Sequence, residues 1–189
     1  MSTLILIRHG QTLWTKQKKY QGHTDLRLSA KGRQSTRSLS KRLEKIGMDF
    51  LYTSPLKRAR ESCAILNRRI RLKPRMDSRL KEINFGVWEG KSAKELITAK
   101  EPAYLSWMKG KWKTPPRGES LSSFRRRVRN FLKECLKQHT DQKVGIVCHG
   151  GTIRMIALEV LGLPMEHFFS FRMKPGSFLI LESNKILAR

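Results

Sequence analysis

Two histidines in this chain follow short apolar runs, at the points where buried strands would end. His9 comes after four branched apolar residues at 4–7 and the intervening Arg8, and His149 comes directly after the apolar run at 143–148. A third run at 50–53 leads into a segment that carries Arg58. Because open α/β sheets bind ligands at the carboxyl ends of their strands, we expect these side chains to share one pocket.

The residue types in this expected pocket favour phosphoryl chemistry. Arginine presents a planar fork of donors that matches phosphate oxygens, and Arg8 and Arg58 supply two such groups. Taken alone, His9 could be a nucleophile, a base or a metal ligand, or a polar residue at a strand end in solvent. Two histidines and two arginines together favour attack by one histidine on a phosphate that the cations hold.

The elements that would position these residues alternate between strands and helices. Ser29, an amphipathic run to Ile46 and then Gly47 predict a capped helix. Further helices are expected at 56–67, 120–138 and 152–161, and further strands at 70–73, 79–83, 168–172 and 178–181. The alternation predicts an α/β fold, a three-layer α/β/α sandwich with a mostly parallel central sheet. We expect a single domain over residues 1–189, with residues 84–118 as an excursion over the active site.

Charge is the strongest feature of the composition. The chain has 40 basic and 15 acidic residues, a net charge of +25, which predicts an anionic partner. The basic clusters at 16–19, 68–71 and 125–127 lack the interleaved aromatic residues of a base-stacking platform, so no specific nucleic acid is expected. The expected partner is a small anionic phosphorylated substrate.

The remaining composition indicates a soluble protein of the cytoplasm. No apolar run approaches the ~20 residues that cross a bilayer, and the N-terminus does not resemble a signal peptide, so no membrane association is expected. The three cysteines at 63, 135 and 148 have no metal-ligand spacing and are expected to be reduced. The oligomeric state stays open, with a homodimer as one option.

Six segments in order along the chain resemble the histidine phosphatase superfamily, whose members are phosphoglycerate-mutase-like. These segments lie at 7–12, 21–22, 54–59, 80–90, 118–120 and 149–151. The likeness extends over nearly the whole chain and is closest to the α-ribazole phosphatase branch, on chain length, residues 82–89 and residues 171–177.

The resemblance implies a metal-independent phosphomonoester hydrolase that needs no cofactor. His9 would be the nucleophile, and Arg8, Arg58 and His149 would neutralise the phosphate oxygens. Glu82 would be the general acid, with Glu89 as the rival candidate. The implied substrate-binding residues are Gln21, Gly22 and Gly150.

Several functional alternatives stay open at this point. The substrate could be α-ribazole 5′-phosphate of cobalamin synthesis, and the alternatives within the family are a phosphoglycerate mutase or a sugar-phosphate phosphatase. The end of the chain at Arg189, soon after the last expected strand, favours a phosphatase. A basic phosphate-binding or RNA-binding protein is the alternative of a different class. His23 is expected to lie in a loop, and His139 is expected to lie at the surface. Trp107 and Trp112 are expected to be packing residues.

Overall fold

The computed structural model describes residues 1–183, in which five strands form one sheet. The strands are β1 (Ser2–Arg8), β2 (Phe50–Thr53), β3 (Arg75–Met76), β4 (Lys143–Cys148) and β5 (Phe178–Ser183). Their order in the sheet is β3-β2-β4-β1-β5, and β5 alone is antiparallel to its neighbour. The carboxyl ends of β2, β4 and β1 therefore lie side by side at one edge.

Helices cover both faces of this sheet. They are α1 (Leu13–Lys16), α2 (Ala30–Ile46), α3 (Lys57–Ile70), α4 (Ala93–Thr98), α5 (Pro102–Met108), α6 (Leu121–Gln138) and α7 (Gly150–Leu161). Short 3₁₀ turns occur at Ser78–Leu80, Gly86–Trp88 and Met165–Phe169. The predicted caps are confirmed, because the Ser29 side chain accepts from Gly32 N and Gly47 ends α2 with φ 70°.

The side chains of β1 show why the sheet needs two helical layers. Leu4 and Leu6 pack into one apolar core with α6 and α7, while Ile5 and Ile7 pack into a second core with α2 and α3. Successive side chains of a strand point to opposite faces, so a continuous apolar run is buried on both sides. The predicted three-layer, mostly parallel α/β fold is confirmed.

Residues 84–118 carry α4 and α5 and pack against the core on the α6–α7 side. Trp88 and Tyr104 are fully buried there. Trp107 lies in the core and contacts Trp112 edge-on, with 5.2 Å between the ring centroids, so both rings pack against other side chains.

Three predicted strands are wrong, and in each case side-chain contacts replace strand pairing. The stretch at 70–73 follows the end of α3, where Arg71 is left-handed and the Asn67 side chain bonds the main chain of Leu72. The stretch at 79–83 begins in a 3₁₀ turn that the Asp77 carboxylate caps. The stretch at 168–172 continues a 3₁₀ turn in which Phe168 enters the core.

The surface position predicted for His139 is also wrong. His139 is 3% exposed, its Nε2 lies 2.9 Å from the Tyr52 hydroxyl, and its ring stacks on Phe50. The sequence shows only a histidine at a helix end, and the strand β2 that covers it is distant in the chain. Arg189, whose position favours a phosphatase in the sequence analysis, lies outside the described residues.

The turn after β1 depends on a close approach between two glycines. A Cβ on Gly32 of α2 would collide with the carbonyl of Gln11 and lie 2.8 Å from its nitrogen, while a Cβ on Gly10 would lie 2.7 Å from the Gly32 carbonyl. The loop that follows His9 can therefore lie directly on α2 only because both positions lack a side chain.

Gly32→Ala should lower the free energy of unfolding by about 1–3 kcal/mol, the usual cost of overpacking. The clash is with main chain that cannot rotate away, so it outweighs the ~1 kcal/mol that alanine gains in a helix. Urea denaturation measures the effect. Lys31→Ala, on the exposed side of α2, is the control and should change stability by less than about 0.5 kcal/mol. A Gly32→Ala variant as stable as the parent would contradict this packing.

Candidate active site

The carboxyl ends of β1, β4 and β2 place the predicted residues together. Arg8 ends β1, His149 directly follows β4 as the N-cap of α7, and Ser54 directly follows β2. The ring centroids of His9 and His149 are 5.1 Å apart, and Arg58 in the first turn of α3 hydrogen-bonds His149. The structure thus brings together the two histidines and two arginines that sequence reasoning selected.

The His9 ring has a defined tautomer. Its Nδ1 lies 2.8 Å from the carbonyl oxygen of Gly10, which only accepts, so Nδ1 carries the proton and Nε2 carries the lone pair. No hydrogen bond from residues 1–183 occupies that Nε2. Burial lowers the pKa of His9 well below 6.5, and the nearby guanidinium groups of Arg58 and Arg8 lower it further. At neutral pH the imidazole is therefore uncharged.

His149 is held in the opposite tautomer. Arg58 Nε donates to His149 Nδ1 at 3.1 Å, so the proton lies on Nε2, which donates to Ser54 Oγ at 2.7 Å. Burial lowers the pKa of His149 well below 6.5, with Arg58 as the next cause. The ring is neutral and fixed at both nitrogens.

Arg58 is fully buried and bonded to main chain. It donates to the carbonyls of Gly22 at 2.7 Å and Thr24 at 3.0 Å, and to that of Gln21 at 3.4 Å. Burial lowers its pKa to about 10, which still leaves it charged at neutral pH. Arg58 therefore places a positive charge beside His9 while it anchors the loop at 21–24.

A cavity of about 170 Å³ opens onto His9. Arg8, Gln21, Glu82 and Gly150 line it together with His9, whereas Arg58, His149 and Gly22 are not among its lining residues in the described chain. Two buried donors in its wall, Arg8 Nε and Gln21 Nε2, have no acceptor among the described residues. Since buried polar groups in proteins are normally paired, the wall is complementary to a ligand with acceptor oxygens.

Glu82 is the acidic residue in the cavity wall. Its Oε2 accepts from Gly151 N at the start of α7, at 2.9 Å, and its Oε1 accepts from Ile83 N at 3.0 Å. A Cβ on Gly151 would lie 3.1 Å from the Glu82 carboxyl carbon, so glycine is needed for this approach. Glu82 is 7% exposed, and its carboxyl group is oriented by the positive end of a helix.

The carboxylate of the rival candidate Glu89 is occupied by hydrogen bonds from main-chain nitrogens. Its carboxylate accepts from the nitrogens of His23 at 2.8 Å, Thr24 at 2.7 Å and Phe85 at 3.2 Å. It does not line the cavity that contains His9. The geometry therefore favours Glu82 over Glu89 as the acid.

The glycines of the predicted substrate-binding set differ in position. Gly150 lies in the wall, and a Cβ there would be 3.2 Å from the Arg8 guanidinium carbon. A Cβ on Gly22 would lie 2.5 Å from the Ile83 carbonyl and 2.7 Å from Phe85 N. Gly22 thus permits close packing of two loops rather than exposing its backbone to the cavity.

Sequence reasoning missed Arg154, which also lines the cavity. Its Nε donates to the Phe171 carbonyl at 2.9 Å, and its guanidinium group lies over the rings of Phe168 and Phe169. Burial lowers its pKa, and the carboxylate of Glu82 opposes that effect. The available signal was its spacing, since Arg154 lies one helical turn after Gly150 on α7.

Within residues 1–183 no group of three histidine, cysteine or acidic side chains could hold a metal ion. Charge near His9 comes instead from guanidinium groups. No helix of the described chain is long and apolar enough to cross a membrane.

The lowered pKa values of His9 and His149 predict an acid-sensitive fold. In the unfolded chain these histidines titrate near pH ~6.5, so below that pH the unfolded state binds more protons than the folded state. The free energy of unfolding should therefore fall as the pH drops from about 7 to 5, by up to about 1.4 kcal/mol per pH unit for each histidine. Urea denaturation across this range measures the slope.

His9→Asn should remove the share of the slope that His9 contributes, whereas the exposed control Lys31→Ala removes no histidine and should keep the full slope. His23, whose pKa burial also lowers, acts in the same direction and is unchanged in both variants. A stability that is flat or rises towards pH 5 would contradict the neutral state of these rings.

Comparison with known proteins agrees with this geometry. A family model described as histidine phosphatase superfamily (branch 1) matches residues 4–186. Phosphoserine phosphatase 1 of Hydrogenobacter thermophilus is 31% identical over 96% of this chain and 86% of its own. The structure of the α-ribazole phosphatase of Shigella flexneri has a TM-score of 0.85 at 27% identity, covering 95% of this chain and 90% of that one. The structure of a mycobacterial glucosyl-3-phosphoglycerate phosphatase with VO3 has a TM-score of 0.86 at 29% identity. The match covers 95% of this chain and 92% of that one. The chain therefore belongs to the histidine phosphatase superfamily and is a phosphatase.

Proposed function

We propose that this phosphatase hydrolyses phosphate monoesters through a covalent phosphohistidine on His9, without a metal ion. The observation that carries the proposal is the unprotonated Nε2 of a neutral, buried His9 in a cavity whose wall contains two unpaired donors. A phosphate group supplies acceptor oxygens for Arg8 Nε and Gln21 Nε2 and a phosphorus atom for His9 to attack.

The first half-reaction transfers the phosphoryl group to His9. The Nε2 lone pair forms a bond to phosphorus as the bond to the ester oxygen breaks. Glu82 is a carboxylate in the unliganded site; it takes up a proton when the anionic substrate binds and gives that proton to the ester oxygen. The alcohol leaves. Positive charge from Arg8 and Arg58 stabilises the equatorial oxygens of the transition state, and the Arg58–His149–Ser54 chain keeps this region fixed.

The second half-reaction returns the enzyme to its starting state. The Glu82 carboxylate takes a proton from water as the water oxygen attacks phosphorus and the bond to His9 Nε2 breaks. Inorganic phosphate leaves, His9 is neutral again and Glu82 releases the proton to become a carboxylate again. One carboxyl group thus serves as acid and then as base.

A brief incubation with ³²P-labelled substrate should give protein-bound phosphate that is stable in alkali and lost in acid, as for a phosphoramidate. His9→Asn should remove the label and reduce turnover by at least about 10³-fold, because the nucleophile is absent. The exposed control His167→Asn should keep both. A label on serine or aspartate, or activity that is lost in EDTA and restored by a divalent ion, would refute the mechanism.

For the substrate, we propose first α-ribazole 5′-phosphate of cobalamin synthesis. Support comes from the likeness to the Shigella flexneri α-ribazole phosphatase and from the motif at residues 82–89. The volume of the cavity favours a second candidate, because about 170 Å³ is below the roughly 300–1,000 Å³ typical of sites for larger ligands. A compact ester such as phosphoserine would fit this volume, and Arg154 would face its carboxylate.

Phosphate release from a matched panel distinguishes these substrates. If α-ribazole 5′-phosphate is the physiological substrate, the kcat/KM for it should exceed the values for phosphoserine, a sugar phosphate and 3-phosphoglycerate. A higher kcat/KM for phosphoserine, together with a rise in its KM of about 10-fold or more in Arg154→Met, would establish the compact class instead. Conversion of 3-phosphoglycerate to its isomer without phosphate release would indicate a mutase.

A further inference from the structure

The segment that carries Glu82 into the cavity has no helical or strand pairing. It joins the 3₁₀ turn at Ser78–Leu80 to the one at Gly86–Trp88. Main-chain carbonyls that leave water need hydrogen-bond partners, and here no neighbouring strand supplies them. Something outside the segment must therefore fix the path of the chain at Glu82.

Thr152 Oγ1 donates to the Lys81 carbonyl at 3.0 Å, and His23 Nε2 lies 3.0 Å from the Glu82 carbonyl oxygen. Arg127 on α6 supplies the largest set of partners. Its Nη1 donates to the carbonyls of Arg79 at 2.6 Å and Lys81 at 2.7 Å, and its Nη2 donates to the carbonyl of Glu82 at 2.9 Å. The remaining two N–H groups of the guanidinium bond Glu119, so all five of its donors are used. A lysine has three donors and could not make this set of contacts.

Glu119 completes the arrangement from the other side of Glu82. Its carboxylate oxygens accept from Arg127 Nε at 2.8 Å and Nη2 at 2.9 Å, a bidentate geometry. Its main-chain nitrogen donates to the carbonyl of Asn84 at 2.8 Å. The segment is thus held before Ile83 by the side chain of Arg127 and after Ile83 by the main chain of Glu119, the ion-pair partner of Arg127.

We propose that Arg127 and Glu119 are positioning residues that hold the Glu82 carboxyl within reach of the leaving oxygen. The inference rests on the proposed function, since it requires Glu82 as the general acid. Gly151 N fixes the tip of the Glu82 side chain, and Arg127 fixes its main chain, so the side chain is anchored at both ends. Displacement by about 1 Å can cost up to ~10²-fold in rate.

A merely structural ion pair would give a different result. The side chains are 20% and 16% exposed, so their loss will also lower stability. Lower stability reduces the amount of folded enzyme and affects every substrate equally. Misplacement of a general acid instead affects poor leaving groups, because an alkoxide needs a proton in the transition state and a nitrophenolate does not.

The test compares single-turnover phosphorylation by glycerol 3-phosphate and by p-nitrophenyl phosphate, at a temperature where circular dichroism shows each variant folded. Arg127→Met should slow phosphorylation by glycerol 3-phosphate about 10–100-fold and phosphorylation by p-nitrophenyl phosphate less than about 3-fold. Glu119→Gln removes the charge and one of the two acceptors that hold the Arg127 guanidinium, keeps the main-chain bond to Asn84, and decides the question if Arg127→Met does not fold.

Two reference variants make the outcome interpretable. Arg125→Met removes a cation from the same helix, where it pairs with Glu159 at 2.5 Å, and should leave the ratio of the two rates unchanged. Glu82→Gln should show the leaving-group effect in full. Equal losses on both substrates, or none, in folded Arg127→Met and Glu119→Gln would overturn the positioning role. Equal losses in Glu82→Gln itself would instead show that the proposed acid is wrong.

Discussion

The structure depends on keeping a histidine neutral beside two guanidinium groups, that of Arg58 fully buried and that of Arg8 partly buried. Burial lowers the pKa of His9, the positive charge of Arg58 and Arg8 lowers it further, and the lone pair stays available. The same charge must be removed from water, at a cost of several kcal/mol for each ion unless hydrogen bonds replace the solvent. Arg58 finds that replacement in the carbonyls of Gly22 and Thr24, and Arg8 finds part of it in the carbonyl of Met173. The sheet order makes this possible, because three parallel strands end together.

Few acidic side chains lie near the site, and three of them each accept a hydrogen bond from a main-chain N–H group. Glu82 accepts from Gly151, Glu89 from His23 and Thr24, and Glu61 from Leu28 at 2.9 Å. Their charges also offset the buried arginines, as Glu82 does for Arg8, Arg58 and Arg154. The chain has 40 basic and only 15 acidic residues, and some of these acidic residues lie beside the arginines of the site.

The parts of the fold that the sequence predicts are those whose signal is local. The apolar runs at β1, β2 and β4 identify strands, and Ser29 and Gly47 mark the ends of α2. The pocket of His9, His149 and Arg58 follows from the rule that such strands end at one edge. The predictions fail where distant contacts decide. Residues 79–83 resemble a strand in composition, but their carbonyls bond side chains that are distant in the sequence, such as Arg127 on α6. His139 is buried against Phe50 and Tyr52 of β2. Sequence reasoning did not select Arg154, because the rule on strand ends does not show that the second turn of α7 also lines the cavity.

Some of the arginines have a structural role in addition to any attraction of an anionic substrate. Four arginine side chains donate to carbonyls of segments without strand pairing, namely those of Arg8, Arg58, Arg127 and Arg154. Such segments form the loops around the cavity, and they cannot satisfy their carbonyls with one another. Arginine suits this task because it has five donors in a rigid plane and stays charged when buried. Irregular loops that bring a nucleophile, an acid and a substrate together can therefore be as well fixed as the sheet, provided that guanidinium groups replace the missing hydrogen-bond partners.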